Sequence, residues 1–142
     1  MGRRKAREEA LKILYSLEVG RKDANEVLRE SEEASGTDPQ WPFVSQLVKN
    51  VRDHLTEIDA SITPFAQQWP IPRMAAVDRT LLRIAVAEML YFPETPHEVA
   101  MNEAIELAKK YGDIDSGSFV NGVLASVHRQ LLASAEPTQP KP

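Results

Sequence analysis

Three arginines and one tyrosine near the start of the chain carry the spacing most suited to binding chemistry. Arg3, Arg4 and Arg7, with Lys5 among them, occupy the first seven residues without an acidic neighbour. On a helix, Arg4, Arg7, Leu11 and Tyr15 fall within roughly 80° of one flank. Guanidinium groups hold phosphate in a bidentate fork, and a tyrosine ring stacks on an unpaired base. Single-stranded RNA recognition uses this combination. The cations also sit at the wrong end of such a helix for its macrodipole, so they do not serve to stabilise it. A solubilising basic start with an ordinary half-buried tyrosine is the competing reading, and residue types alone leave both open.

Catalysis finds little support. His54, His97 and His128 are dispersed, and none belongs to an HExxH-type ligand pair. No GxGxxG, GxxxxGK[ST] or GxSxG occurs. Cysteine is absent, which removes disulfides, thiolate zinc sites and a thiol nucleophile. The carboxylates are spread over polar helix faces. A non-enzymatic protein without metal or cofactor is expected.

At 142 residues, 42% hydrophobic and 27% charged, the chain fits one ordinary globular domain with a real core. The longest apolar runs, Ile84–Ala87 and Met89–Phe92, are far too short to span a bilayer. The basic start has no apolar stretch behind it, unlike a secretory signal. A cytoplasmic location is expected. Net charge is −4, so any anion binding must come from a local patch rather than from the molecule as a whole.

The elements that must position these residues read as helices throughout. Ala6, Ala10, Ile13, Leu14 and Leu17 mark a buried face over Arg3–Glu18, stopped at Gly20. A polar helix is expected from Asp23 to about Glu33. Val44, Val48, Val51, Leu55, Ile58, Ile62, Phe65 and Trp69 then repeat at four and three, a heptad-like seam. Thr37 or Asp38 caps its start, and Pro64 is expected to split it into two helices. Arg73–Tyr91 is apolar almost all round and therefore central. Thr95-Pro96-His97-Glu98 reads as a capping box opening a helix to Tyr111. The last helix starts at Asp115 or Ser116 and buries Val120, Val123, Leu124, Val127 and Leu131. The expectation is an all-α bundle of about seven helices in two packed subdomains, one domain over residues 1–133, with a Pro-rich disordered tail over 134–142.

Several of these segments together resemble the NusB family of bacterial transcription antitermination factors. RRKAREEALKILYSLE, the Val44–Ile62 seam, DRTLLRIAVAEML, VAMNEAIELAKKYG and FVNGVL carry the resemblance, in order, from about Arg3 to Val127. It implies binding of boxA RNA together with NusE, a ribosomal protein of the small subunit. It further implies attachment to RNA polymerase with other Nus factors, and antitermination, notably on ribosomal RNA operons. By the same resemblance Arg3, Arg4, Arg7, Tyr15, Asp115 and Phe119 are RNA-binding, and Asp78 and Arg79 face NusE. The stretch Gly20–Gln40 matches no family motif.

Each position also has a plainer reading. Asp115 serves as an N-cap, Phe119 sits in the core or at its rim, and Asp78 and Arg79 form the polar strip of a buried helix. Asn121 and Gly122 are read as residues for close helix packing. Two other functions stay in view. One is a homodimeric interaction module with the RNA surface hidden; the other is a generic single-stranded RNA-binding domain without the NusE link. A methyltransferase-associated module is disfavoured, because no Rossmann-like segment and no cysteine is present.

Overall fold

The computed structural model describes residues 1–20 and 22–135. Seven α-helices form among them: α1 Arg3–Val19, α2 Ala24–Ser35, α3 Trp41–Asp53, α4 Leu55–Ile62, α5 Ala76–Tyr91, α6 His97–Tyr111 and α7 Ser116–Ala135. Short 3-10 turns at Thr63–Phe65 and Ile71–Arg73 lie between α4 and α5. The described residues are all-α, as expected. Ser134 and Ala135 continue α7 rather than opening a tail; residues 136–142 lie outside the described residues.

Helix α5 organises the packing. Leu81, Leu82, Ile84, Ala85, Val86 and Ala87 are buried on all its sides. It touches α1 and α3 on one side and α4, α6 and α7 on the other, so the two helical groups share one core cluster. The first group contributes Ala6, Ala10, Val44, Leu47 and Val48. The second contributes Ile58, Ile62, Ala108, Val120 and Leu124.

Two local expectations are corrected. The seam helix gives way to a 3-10 turn at Pro64, as expected, but it also breaks earlier, at His54. His54 leaves the helical region (φ −117°, ψ 26°) and separates α3 from α4. Its ring stacks on Tyr91 of α5 at 4.2 Å. The turn lets Ile58 and Ile62 reach the core, while Leu55 and Trp69, both on the heptad pattern, stay exposed. A fixed heptad rotates with the chain only while the helix continues, so the pattern loses its meaning past the break.

The box at Thr95 does not form either. The N-cap is Pro96, with no side-chain cap. Thr95 is thereby one residue outside the capping position, and Glu98 instead approaches His128 Nε2 at 3.6 Å. Asp23, by contrast, caps α2 by accepting from Asn25 N–H. Asp38 Oδ1 accepts from Gln40 N–H just before α3, and Asp38 also pairs with the N-terminal ammonium, which pulls its carboxyl pKa down.

Candidate nucleic-acid interface

The three N-terminal arginines point to three different places. Arg3 is exposed, with its guanidinium carbon 3.9 Å above the centre of the Phe43 ring, and makes no ion pair among the described residues. Arg4 is exposed and forks onto Glu103 of α6, at 2.7 and 2.9 Å. That bond raises the Arg4 pKa and holds the Glu103 carboxyl below its ordinary range. Arg7 is buried. Its Nε and Nη2 donate to the fully buried Glu88 carboxylate at 2.9 and 2.8 Å.

Arg7 was expected to hold phosphate; the structure turns it inward instead. It stands on the helix face of Ala10, Leu11 and Leu14, which packs on α5. A carboxylate without solvent there requires a cation. The predicted arc of Arg4, Arg7, Leu11 and Tyr15 straddles the edge of the core, with its two middle members inside.

A different set of cations gathers around α1. Glu8 is buried, and Lys110 Nζ donates to its carboxylate at 3.1 Å. Tyr111 Oη also donates to it. The ammoniums of Lys5 and Lys12 lie at 3.6 and 3.9 Å from the same oxygen. Burial opposes the charge on Glu8, but the Lys110 hydrogen bond and the fields of Lys110, Lys5 and Lys12 together outweigh it and lower its pKa. All three lysines remain more than half exposed.

Beside them Tyr15 and Tyr111, both partly exposed, line a cleft of about 430 Å³ together with Leu11, Lys12, Ser16 and Val77. Tyr15, expected to stack on a base, lies partly exposed on the rim of this cleft. Lys12, Lys110 and Tyr111 were missed. Lys109-Lys110-Tyr111 is visible as a basic-aromatic run, but only the packing of α6 on α1 brings it to Tyr15.

Val77, at the edge of this cleft, lies on α5. Asp78, next along α5, is buried, and its Oδ1 has no hydrogen-bond partner among the described residues. Burial raises its carboxyl pKa; Ser116 works against that rise and Asp113 adds to it. Arg79 Nη1 donates to the carbonyls of Ile71 and Met74 at 3.1 and 2.8 Å, and its Nη2 pairs with Glu18. Both residues were expected to face NusE. Neither offers its charge freely to the surface: Asp78 is buried beside Ser116, and Arg79 is engaged by Glu18 and the carbonyls of Ile71 and Met74.

Asp115 is exposed and precedes the first residue of α7, its carbonyl accepting from Phe119 N–H. The side-chain bond at this terminus comes from Ser116, whose Oγ accepts from Asp113 N–H at 2.8 Å. Phe119 is half-buried at the rim of an open groove of about 660 Å³. Asn121 is exposed, and a Cβ at Gly122 would meet nothing within 4 Å. The expectation that this pair serves close helix packing is thus overturned. Among the described residues no group of three or more His, Asp or Glu side chains is arranged to hold a metal ion.

Comparisons with known proteins show the family and the fold. The NusB family model matches residues 4–129. The transcription antitermination protein NusB of Geobacillus kaustophilus is 44% identical over 131 residues, covering 92% of this chain and 98% of the relative. That of Bacillus subtilis is 42% identical over 134 residues, covering 94% and 100%. Among solved structures, T. maritima NusB superposes with a TM-score of 0.83 at 32% identity, over 92% of each chain. A chain from a complex of antitermination factors NusB and NusE with double-stranded RNA gives a TM-score of 0.78 at 28% identity, over 90% of this chain and 96% of that one. The helical order, the basic and aromatic surface of α1, and these matches over nearly the whole length place the chain in the NusB family.

Proposed function

We propose that this protein is a transcription antitermination factor that binds boxA RNA together with NusE and joins the RNA polymerase antitermination complex, notably on ribosomal RNA operons. It acts by recognition, without catalysis. The observation that carries the reading is the surface formed by α1 and α6. Exposed Arg3, Lys5, Lys12 and Lys110 flank a cleft edged by Tyr15 and Tyr111. Cations suit the phosphates, and the rings suit unpaired bases. Arg4, Asp115 and Phe119 complete the RNA-facing set at its two ends. Arg7 and Arg79 contribute from inside, by tying α1 to α5 through Glu88 and Glu18. The solved NusB–NusE complex with RNA supports both partners. The net charge of −4 suits a basic ribosomal protein on the remaining surface.

The test is fluorescence anisotropy of labelled boxA RNA, with and without NusE, beside a scrambled RNA. Selective binding that tightens with NusE and weakens in Lys110→Ala and Tyr15→Ala is expected. Equal binding to both RNAs would reduce the site to a non-specific basic patch.

A further inference from the structure

The histidines are dispersed in sequence, yet the fold brings two of them together. His97 is the first residue of α6 and His128 lies in the middle of α7, and their Nδ1 atoms stand 3.0 Å apart. The rings cross at 77°, with centres 5.1 Å apart. Both side chains are half-buried where α6 packs on α7, so small ions reach them from solvent.

Each neutral imidazole carries one N–H and one lone pair. A hydrogen bond between the two Nδ1 atoms uses the proton of one ring and the lone pair of the other. That bond does not explain a third group. The Glu98 carboxylate lies 3.6 Å from the other nitrogen of His128, Nε2. A carboxylate there favours the tautomer protonated at Nε2, which leaves the Nδ1 lone pair of His128 facing His97. Carboxylates orient metal-ligating imidazoles in the same way.

The spacing suits one shared cation. Two imidazole nitrogens, each about 2.0–2.1 Å from a metal, stand roughly 2.9–3.4 Å apart for angles at the metal of about 90–110°. The observed 3.0 Å lies in that range. To ligate, His97 moves its proton to Nε2, and a turn of the half-buried rings aims both lone pairs at one point. No net proton leaves a neutral pair. Arg129, next to His128 in sequence, is turned to Ser126 Oγ at 3.1 Å. Among the described residues no group of three His, Asp or Glu can hold a metal ion, so the protein supplies two ligands and water the rest. Imidazole favours divalent transition cations, whereas Mg2+ and Ca2+ prefer oxygen.

We propose that His97 and His128 form a two-imidazole site for a divalent transition cation, ligated through both Nδ1 atoms, with Glu98 as the positioning residue. The cation would fasten the start of α6 to the middle of α7. Lys110 lies near the other end of α6, roughly 20 Å away at the rise of a helix. The site is therefore separate from the Tyr15 cleft and independent of the RNA-binding reading.

The test is isothermal titration calorimetry of the full chain, without a histidine tag and stripped of metal, against Ni2+, Zn2+ and Mg2+ salts in turn. One Ni2+ or Zn2+ per chain is expected, and no heat from Mg2+. His97→Gln and His128→Gln should each weaken Ni2+ binding about 100-fold or more. Glu98→Gln should weaken it about tenfold, the low end for an orienting carboxylate, because Glu98 is exposed. His54→Gln should bind as the wild type does, since His54 stacks on Tyr91 elsewhere. Thermal melting separates a lost ligand from a lost fold. The metal-free variants should melt close to the wild type, and Zn2+ should raise the melting temperature of the wild type but not of His97→Gln or His128→Gln. In NMR spectra Zn2+ should shift the ring nitrogens of His97 and His128 and leave those of His54 in place.

Wild-type affinity for Ni2+ and Zn2+ in His97→Gln or His128→Gln would overturn the site and reduce the metal to a surface contact elsewhere. Absence of binding by the wild type would overturn it too, leaving the His97–His128 contact as a hydrogen bond between α6 and α7.

Discussion

Arg3 and Arg7 lie one helical turn apart, with guanidinium carbons 3.9 and 5.5 Å from the centre of the same Phe43 ring, yet they do different work. Arg3 keeps its donors at the surface. Arg7 spends them on Glu88, which has no other cationic partner among the described residues. Removing one member of a buried pair leaves an uncompensated charge, so Arg7→Ala is expected to cost about 3–5 kcal/mol in urea unfolding. The apolar pair Arg7→Met with Glu88→Leu should recover most of that loss. Any fall in RNA affinity of Arg7→Ala would therefore follow from a loosened α1. Asp78 gives a pH signature. Its pKa is raised on folding by burial, so the folded state holds that proton more tightly than the unfolded chain. Its contribution to stability falls as pH rises from the ordinary carboxylate range through the higher folded value. Asp78→Asn should remove that downward step from a stability–pH curve. Glu8 runs the other way: its lowered pKa gives stability above the ordinary range that is lost as pH falls through the folded value. Asp115→Asn removes an exposed charge near Asp113 while preserving capping capacity. RNA affinity in anisotropy should rise or hold, and a clear fall at unchanged stability would remove Asp115 from the RNA surface.

Particular side chains tie α1, α4 and the Ile71–Arg73 turn to α5. Arg7 joins α1 to it. Arg83 joins α4, its guanidinium forking onto Asp59 at 2.9 Å for both bonds, and lies 3.8 Å from Glu18 of α1. Arg79 holds the carbonyls of Ile71 and Met74 and pairs with Glu18. Arg79→Ala strips two carbonyls and one carboxylate of their donor at once, so a loss of about 1–3 kcal/mol is expected in the urea midpoint analysis. If stability were unchanged and only NusE binding fell, Arg79 would be a partner contact after all. The helices themselves were readable because their apolar residues recur locally. The start of α1 and its buried Ala6, Ala10, Ile13 and Leu14 needed no information from elsewhere in the chain. The break at His54 was not readable, because its stacking partner Tyr91 lies on another element.

For the whole molecule, the net charge of −4 and the basic face of α1 and α6 must coexist. Arg3, Lys5, Lys12 and Lys110 sit together while Glu26, Glu30, Glu32 and Glu33 lie on α2. Screening over about 8–10 Å keeps the two regions from cancelling. If three of these four cations meet phosphates on single-stranded RNA, log affinity should fall with log salt at a slope of about −2. Lys110→Ala should reduce the slope by about 0.7, measured as anisotropy titrations across a salt series. A slope near zero would mean that the surface binds through bases or protein alone.

What this sequence determined by itself is the helical class, the central place of the Arg73–Tyr91 segment, the family, and the basic start with Tyr15 beside it. These follow from local periodicity, from residue type and from motifs that lie contiguously along the chain. The tertiary structure decided which charges remain available. Arg7 and Glu88 are eighty-one residues apart in sequence, and Glu8 and Lys110 one hundred and two. No local pattern states whether a charge on the edge of a helix face will meet solvent or an opposite charge from another helix. That choice is made when helices pack, because a buried charge must find its partner there. It moved Arg7, Asp78 and Arg79 inward and gathered Lys12, Lys110 and Tyr111 on the surface beside Tyr15. It also left Trp69, which the heptad pattern had placed on the buried seam, exposed beside an open groove.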